Sequence, residues 1–202
     1  MRNYFHKITS FEIDSERLYS EWHEVATKHN MFSRTETYES TKKFTLPFYY
    51  KLMINYPSSL NENVDPVWIQ SGESNIGEGH DSYDINNIVK DFQGSHTEVV
   101  AKKCAEYLQS KYSNYYRLTT VKYAALAPKS HISTHTDGIS VPRFFLSANV
   151  PTGCYMEVCG EQHPLDEQGA FFKMICSAPH SPINQSDGYR LMMVFDVAKI
   201  NL

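Results

Sequence analysis

Hydrophobic and polar positions divide the chain into a helical first half and a strand-rich second half. Residues 4–13 mix aromatic and β-branched positions and predict a short strand. Asp14-Ser15-Glu16 then reads as a helix start, and Leu18, Trp22 and Val25 recur at spacings of four and three to give one apolar stripe. That helix fades near His29-Asn30, and residues 31–43 are polar, Ser/Thr-rich and predict no element. Phe44 to Tyr56 is apolar and aromatic, with Pro47 as an interruption. An edge strand suits it, because Pro lacks the N–H that a central strand must donate.

Turn formers are dense from Pro57 to Gly94, around the apolar knot Val67-Trp68-Ile69. Loops of this length in a compact domain are usually functional or disordered. Helical spacing returns over Thr97 to Tyr112, with Val100, Cys104, Tyr107 and Leu108 on one side and lysines opposite. From Leu118 onward short strands follow one another, separated by turn signals. Helices early and antiparallel strands late predict an α+β domain built on a β-sandwich or barrel. Residues 1–202 read as a single domain, with helices, strands and candidate substrate loops over 1–117 and a β core over 118–200.

Composition narrows the function classes. The 14 Tyr and 11 Phe favour strands, while 41% apolar and 21% charged residues are ordinary for a globular protein. A formal charge of −4 with no Lys/Arg cluster offers no footprint for a phosphate backbone, so no nucleic-acid partner is expected. No window approaches the roughly 18 apolar residues of a membrane span, and no apolar run follows the first residues as in a secretory signal. Cys104, Cys154, Cys159 and Cys176 lack Cys-x-x-Cys spacing and do not form a disulfide framework. A reduced, cytoplasmic setting is expected. Nothing in the sequence bears on the oligomeric state.

The candidate chemistry lies between Val121 and Val197. His135 and Asp137 stand two apart, so in extended backbone they point to the same face and can reach one ion. His180 lies 43 residues after Asp137, far enough for several strands to return a third ligand. Two nitrogens, one oxygen and open positions suit non-haem Fe(II). Spacing alone leaves His131 and His163 as competing third ligands, and Zn as a competing metal. Arg190 opens the apolar run Leu191-Met-Met-Val-Phe195, and Arg143 sits in Pro142-Arg-Phe-Phe-Leu146. A guanidinium pointing into a sandwich needs an anionic partner, and its planar fork matches a carboxylate.

Taken together, His135-Thr-Asp-Gly138, Arg143-Phe-Phe-Leu-Ser-Ala-Asn-Val-Pro151, His180 and Arg190-Leu-Met-Met-Val-Phe-Asp196 resemble the aspartyl/asparaginyl β-hydroxylase family. These are Fe(II)- and 2-oxoglutarate-dependent oxygenases, related to the cis-proline hydroxylases. The resemblance runs from Lys122 to Val197 and includes Gly169. It implies a double-stranded β-helix core, jelly-roll or cupin-like, with N-terminal helices and additional strands. It implies that His135, Asp137 and His180 hold Fe(II) and that Arg190 binds the distal carboxylate of 2-oxoglutarate. Arg143 would lie near the keto-acid end or near an acidic group of the substrate.

The chain also departs from the family. It keeps Asp137 where protein-directed members often have Gly. It carries Phe145 where the family often has His two residues after the first Arg, Val141 where a second Arg can precede it by two, and Ala124 where a Ser can help hold the cosubstrate, so the clasp is expected to differ in detail and an acidic, Asp-like substrate is not expected. The implied activity uses O2 to hydroxylate an unactivated C–H bond of an amino acid, amino-acid-derived metabolite or peptidyl residue, releasing succinate and CO2. Trp68, His80 and Tyr83 are the candidate substrate lid. The alternative is a non-oxidative metal-binding cupin-like isomerase or small-molecule sensor.

Overall fold

Both expected helices form, each capped by the residue type that favours a helix start. In the computed structural model, which describes residues 4–29, 90–137 and 141–200, and 49–55 by backbone pairing alone, α1 spans Ser15–Lys28. The Asp14 carboxylate accepts the Arg17 N–H at 3.0 Å, which satisfies one of the donors a helix start leaves unpaired. The second helix, α2, spans His96–Tyr112. Ser95 Oγ accepts the Glu98 N–H at 3.1 Å and Glu98 reaches back to the Gly94 N–H at 2.7 Å, the reciprocal pattern of a capping box.

Ten strands complete the described fold. These are β1 (Phe5–Ser10), β2 (Tyr49–Asn55), β3 (Tyr116–Leu126), β4 (Ser130–His131) and β5 (Pro142–Asn149). After them come β6 (Cys154–Val158), β7 (Glu161–Pro164), β8 (Ala170–Ile175), β9 (His180–Asn184) and β10 (Arg190–Lys199). One sheet runs β1-β8-β5-β10-β3-β2 and the other β4-β9-β6-β7, with every pairing antiparallel. From β3 to β10 the chain passes back and forth between two four-stranded layers, with β6 and β7 a hairpin within one of them, which is the double-stranded β-helix. β1 and β2 extend the larger layer at its two edges, and β2 falls within the Phe44 to Tyr56 stretch expected to be an edge strand.

Two apolar clusters explain why the strands of the larger layer read as continuous hydrophobic runs. Leu191, Met193, Phe195 and Val197 of β10 pack with Leu18 and Trp22 of α1 and Val100, Cys104 and Leu108 of α2. The alternate residues Met192 and Val194 pack with Phe145, Phe172 and Met174, and with Met156 and Val158 of the other layer. A sheet covered by helices on one face and by a second sheet on the other has no solvent side to keep polar. β6 has one such side, and its exposure alternates.

No helix among the described residues is long and apolar enough to cross a membrane. Trp68, His80 and Tyr83, residues 31–43, most of the 57–94 stretch and Gly138 lie outside the described residues.

Candidate metal centre

His180 opens β9, and His135 lies opposite it in extended chain after β4. Each backbone N–H donates to the other's carbonyl, at 3.0 Å from His135 and 2.8 Å from His180. Such a doubly bonded antiparallel pair sets both side chains on one face, and the two ring centroids are 4.3 Å apart. Asp137 comes back to that face two residues later, tied by its own N–H to the Cys176 carbonyl at 3.0 Å. Its Oδ1 lies 3.4 Å from His135 Nε2 and 3.8 Å from His180 Nε2. One donor atom from each residue falls within 4.8 Å of the others.

Local backbone sets the tautomers. His135 Nδ1 is 2.8 Å from the Ser133 carbonyl and His180 Nδ1 is 2.9 Å from the Ala178 carbonyl. A carbonyl only accepts, so each Nδ1 carries the proton and each Nε2 presents its lone pair to the shared space. Burial of His180, 4% exposed, lowers its basicity and favours the neutral ring that a metal requires. Burial alone would raise the Asp137 pKa. Contact with His135 and the charge of Arg143 outweigh it and hold the carboxyl well below the usual range. Two imidazole Nε2 atoms and an ionised carboxylate are a donor set that fits Fe(II).

A buried charge array stands behind Asp137. Arg143 of β5 donates through Nη1 to Asp137 Oδ2 and through Nε to Asp196 Oδ1 of β10, each at 2.5 Å. Asp196 Oδ2 accepts from Lys122 and, at 2.8 Å, from Thr120 Oγ1, both on β3. Burial opposes both charges of the inner pair. Lys122 and Arg143 nevertheless keep Asp196 far below the carboxylate range, and Asp196 and Asp137 keep Arg143 charged. Arg143 was expected near the keto-acid end or near an acidic group of the substrate; in the structure two of its donors engage protein carboxylates. Sequence reasoning did not assign Asp196 or Lys122 to the site. Their signal was there: a lone Asp in Leu191–Val197 and a lone Lys in Val121–Leu126, both apolar runs of a central sheet.

Arg190 is 3% exposed and opens β10 opposite Leu126. It alternates in phase with Met192, Val194 and Asp196 on the inner face, so the two arginines stand roughly 20 Å apart along that face at about 3.3 Å per residue. The turn that delivers Arg190 is held by Asn184, whose Nδ2 lies 2.9 Å from each of the Leu126, Ala127 and Gly188 carbonyls. The competing histidines fall elsewhere. His131 sits in β4 facing Ile183, and His163 packs against Phe5 with ring centroids 5.1 Å apart. Neither joins a possible metal cluster among the described residues.

The sequence profile described as Aspartyl/Asparaginyl beta-hydroxylase matches residues 89–199, more than half of the chain, and spans every residue of this centre. The chain belongs to that family. It is a 2-oxoglutarate-dependent oxygenase of the hydroxylase type. Two solved structures share the fold over nearly the whole chain. A viral collagen prolyl hydroxylase from Paramecium Bursaria Chlorella virus-1, in a 2OG complex, aligns with a TM-score of 0.52 at 11% identity, covering 96% of this chain and 95% of that one. AviO1 from Streptomyces viridochromogenes Tue57 aligns with a TM-score of 0.55 at 12% identity, covering 96% and 89%. At such identities the likeness is one of fold. No curated protein matches the chain.

Proposed function

We propose that this β-hydroxylase-family member hydroxylates an unactivated C–H bond of an amino acid, an amino-acid-derived metabolite or a peptidyl residue, using O2 and releasing succinate and CO2. His135, Asp137 and His180 hold Fe(II), and Arg190 holds the distal carboxylate of 2-oxoglutarate. Arg143 borders the same space from the Asp137 side. The observation that carries the reading is the convergence of two Nε2 lone pairs and one ionised carboxylate within 4.8 Å.

Held by His135, Asp137 and His180, Fe(II) would supply activation of O2, which is the oxidant: two of its four oxidising equivalents would go to the keto acid, giving succinate and CO2, and two to the substrate C–H bond, giving the alcohol. The residues do the rest. The Nδ1–H bonds to Ser133 and Ala178 stop the imidazoles from turning away. Arg190, buried at the start of β10, offers a fork for a carboxylate at the interior end of the barrel. We assign residues 118–200 to the metal and cosubstrate site and 1–117 to its support and to substrate contacts, within one domain. Free Cys104, Cys154, Cys159 and Cys176 suit a reducing, cytoplasmic setting.

The test is anaerobic titration with Fe(II) and 2-oxoglutarate. A visible charge-transfer band is expected, with succinate formed once O2 and a substrate from an amino-acid and metabolite panel are present. Arg190→Ala should weaken 2-oxoglutarate binding while iron stays bound, and His180→Ala should abolish turnover. No band and no succinate would point to the isomerase or sensor instead.

A further inference from the structure

The carboxylate of Asp137 does not face the shared donor space with both oxygens. Oδ1 lies toward the two Nε2 atoms, while Oδ2 is the acceptor of Arg143 Nη1 at 2.5 Å. Arg143 is in turn fixed from behind. Its Nε is held by Asp196 Oδ1 at 2.5 Å, and the other oxygen of Asp196 is occupied by Lys122 and by Thr120 Oγ1. Both oxygens of Asp196 are therefore used, which pins its plane and with it the direction of the guanidinium.

The array is rooted in the larger sheet, on strands paired on both sides. Asp196 pairs in register with Arg143 on one side and with Thr120 on the other, so β5, β10 and β3 form one rung at the middle of the larger sheet. Asp137 by contrast lies outside any strand. Two carboxylates and two cations balance, so the rung is neutral as a group and has no surplus charge to attract an acidic substrate.

We propose that Arg143, anchored by Asp196 and Lys122, is a positioning residue that keeps Asp137 Oδ2 away from the metal and so enforces binding through Oδ1 alone. This rests on the assignment of His135, Asp137 and His180 as metal ligands. The consequence concerns coordination number. An octahedral ion held by three protein atoms keeps three positions open, which is what a two-point keto acid and O2 together need. A carboxylate gripping through both oxygens takes one of them. The chain therefore spends a buried charge array, expensive to desolvate, on keeping a position vacant.

The experiment uses Mn(II) as an electron-spin-resonance probe, bound to the full-length protein with 2-oxoglutarate under anaerobic conditions. Broadening of the Mn(II) lines by 17O-water counts the coordinated waters. In the wild type one water is expected. Arg143→Gln removes the restraint, and because it leaves two buried carboxylates with Lys122 as the one remaining cation of the array, Arg143→Gln/Asp196→Asn is made beside it to remove one charge of each sign. In whichever of these retains the wild-type circular dichroism spectrum, the water-dependent broadening is expected to disappear. Mn(II) affinity should fall roughly 10–100-fold, the usual effect of losing a residue that orients a ligand. A folded variant that keeps its coordinated water overturns the proposal. Asp137→Ala separates this from failure of the ligand assignment: if it binds Mn(II) as tightly as the wild type, Asp137 is no ligand and the premise itself is lost.

Discussion

Gly169 stands at φ +76° where the chain enters β8, and a Cβ there would lie 2.0 Å from the Phe11 carbonyl oxygen. The same carbonyl approach leaves room for Phe11 N–H to bond Gly169 O at 2.8 Å and for Gly169 N–H to bond Ser147 O at 2.8 Å. One residue thus joins the segment before α1 to β5 at the entrance of β8. Gly169→Ala meets both a disfavoured backbone region and a backbone clash that no rotamer relieves. It is expected to cost about 3 kcal/mol, read as a lowered urea midpoint. Asn184 is a second position of this kind: its amide serves three carbonyls, while Oδ1 accepts the Ser186 N–H at 3.0 Å and the Ser186 hydroxyl at 2.6 Å. No other side chain offers both functions in that size.

At the scale of elements, α1 and α2 are joined by a carboxylate. Glu21 of α1 accepts the N–H groups of His96 and Thr97, at 3.0 and 2.8 Å, so one helix caps the other. The cap continues inward, where Thr97 Oγ1 and the Tyr123 hydroxyl meet at 2.8 Å and tie α2 to β3. Burial would raise the Glu21 pKa, but the bonds from Thr97 and His96 outweigh it and lower the value. A carboxyl whose folded pKa lies below its unfolded value stabilises the protein above the unfolded value, and that stability is lost as pH falls through the folded one. Glu21→Ala is expected to cost about 1–2 kcal/mol at pH 7. The gap to wild type should shrink as pH drops below the ordinary value of 4.5, measured by denaturant unfolding at each pH.

For the whole molecule, the two clusters on either side of the larger sheet bury three of the four thiols: Cys104 on the helix side, Cys154 and Cys176 between the layers. Burial also pushes the Cys176 thiol up to about 12, so little thiolate exists to react. Cys159 is exposed, in a turn after β6. A disulfide reagent should therefore modify one thiol per native chain at pH 8 and all four after unfolding, counted by mass spectrometry. Rapid reaction of Cys104 or Cys154 in the native protein would mean that the layers open more readily than this packing allows.

Much of this could be read directly from the sequence. Both helices and the β1 strand follow from local periodicity and capping residues, because a helix or strand repeat is expressed within a few neighbours. The fold class followed from the order of those elements, and the His135-x-Asp137 pair from the alternation of extended backbone. The third metal-ligand candidate did not. Spacing left His131, His163 and His180 open, the family resemblance pointed to His180, and the reciprocal backbone bonds with His135 bring only His180 to the pair. The array behind Asp137 was decided entirely by tertiary structure. Asp196 meets Arg143 across 53 positions and Lys122 across 74, through cross-strand register, which no local pattern of residues encodes. Local chemistry determined which side chains were available. Strand pairing decided which of them share a site, because only register brings distant, oppositely charged residues to one rung of a buried sheet.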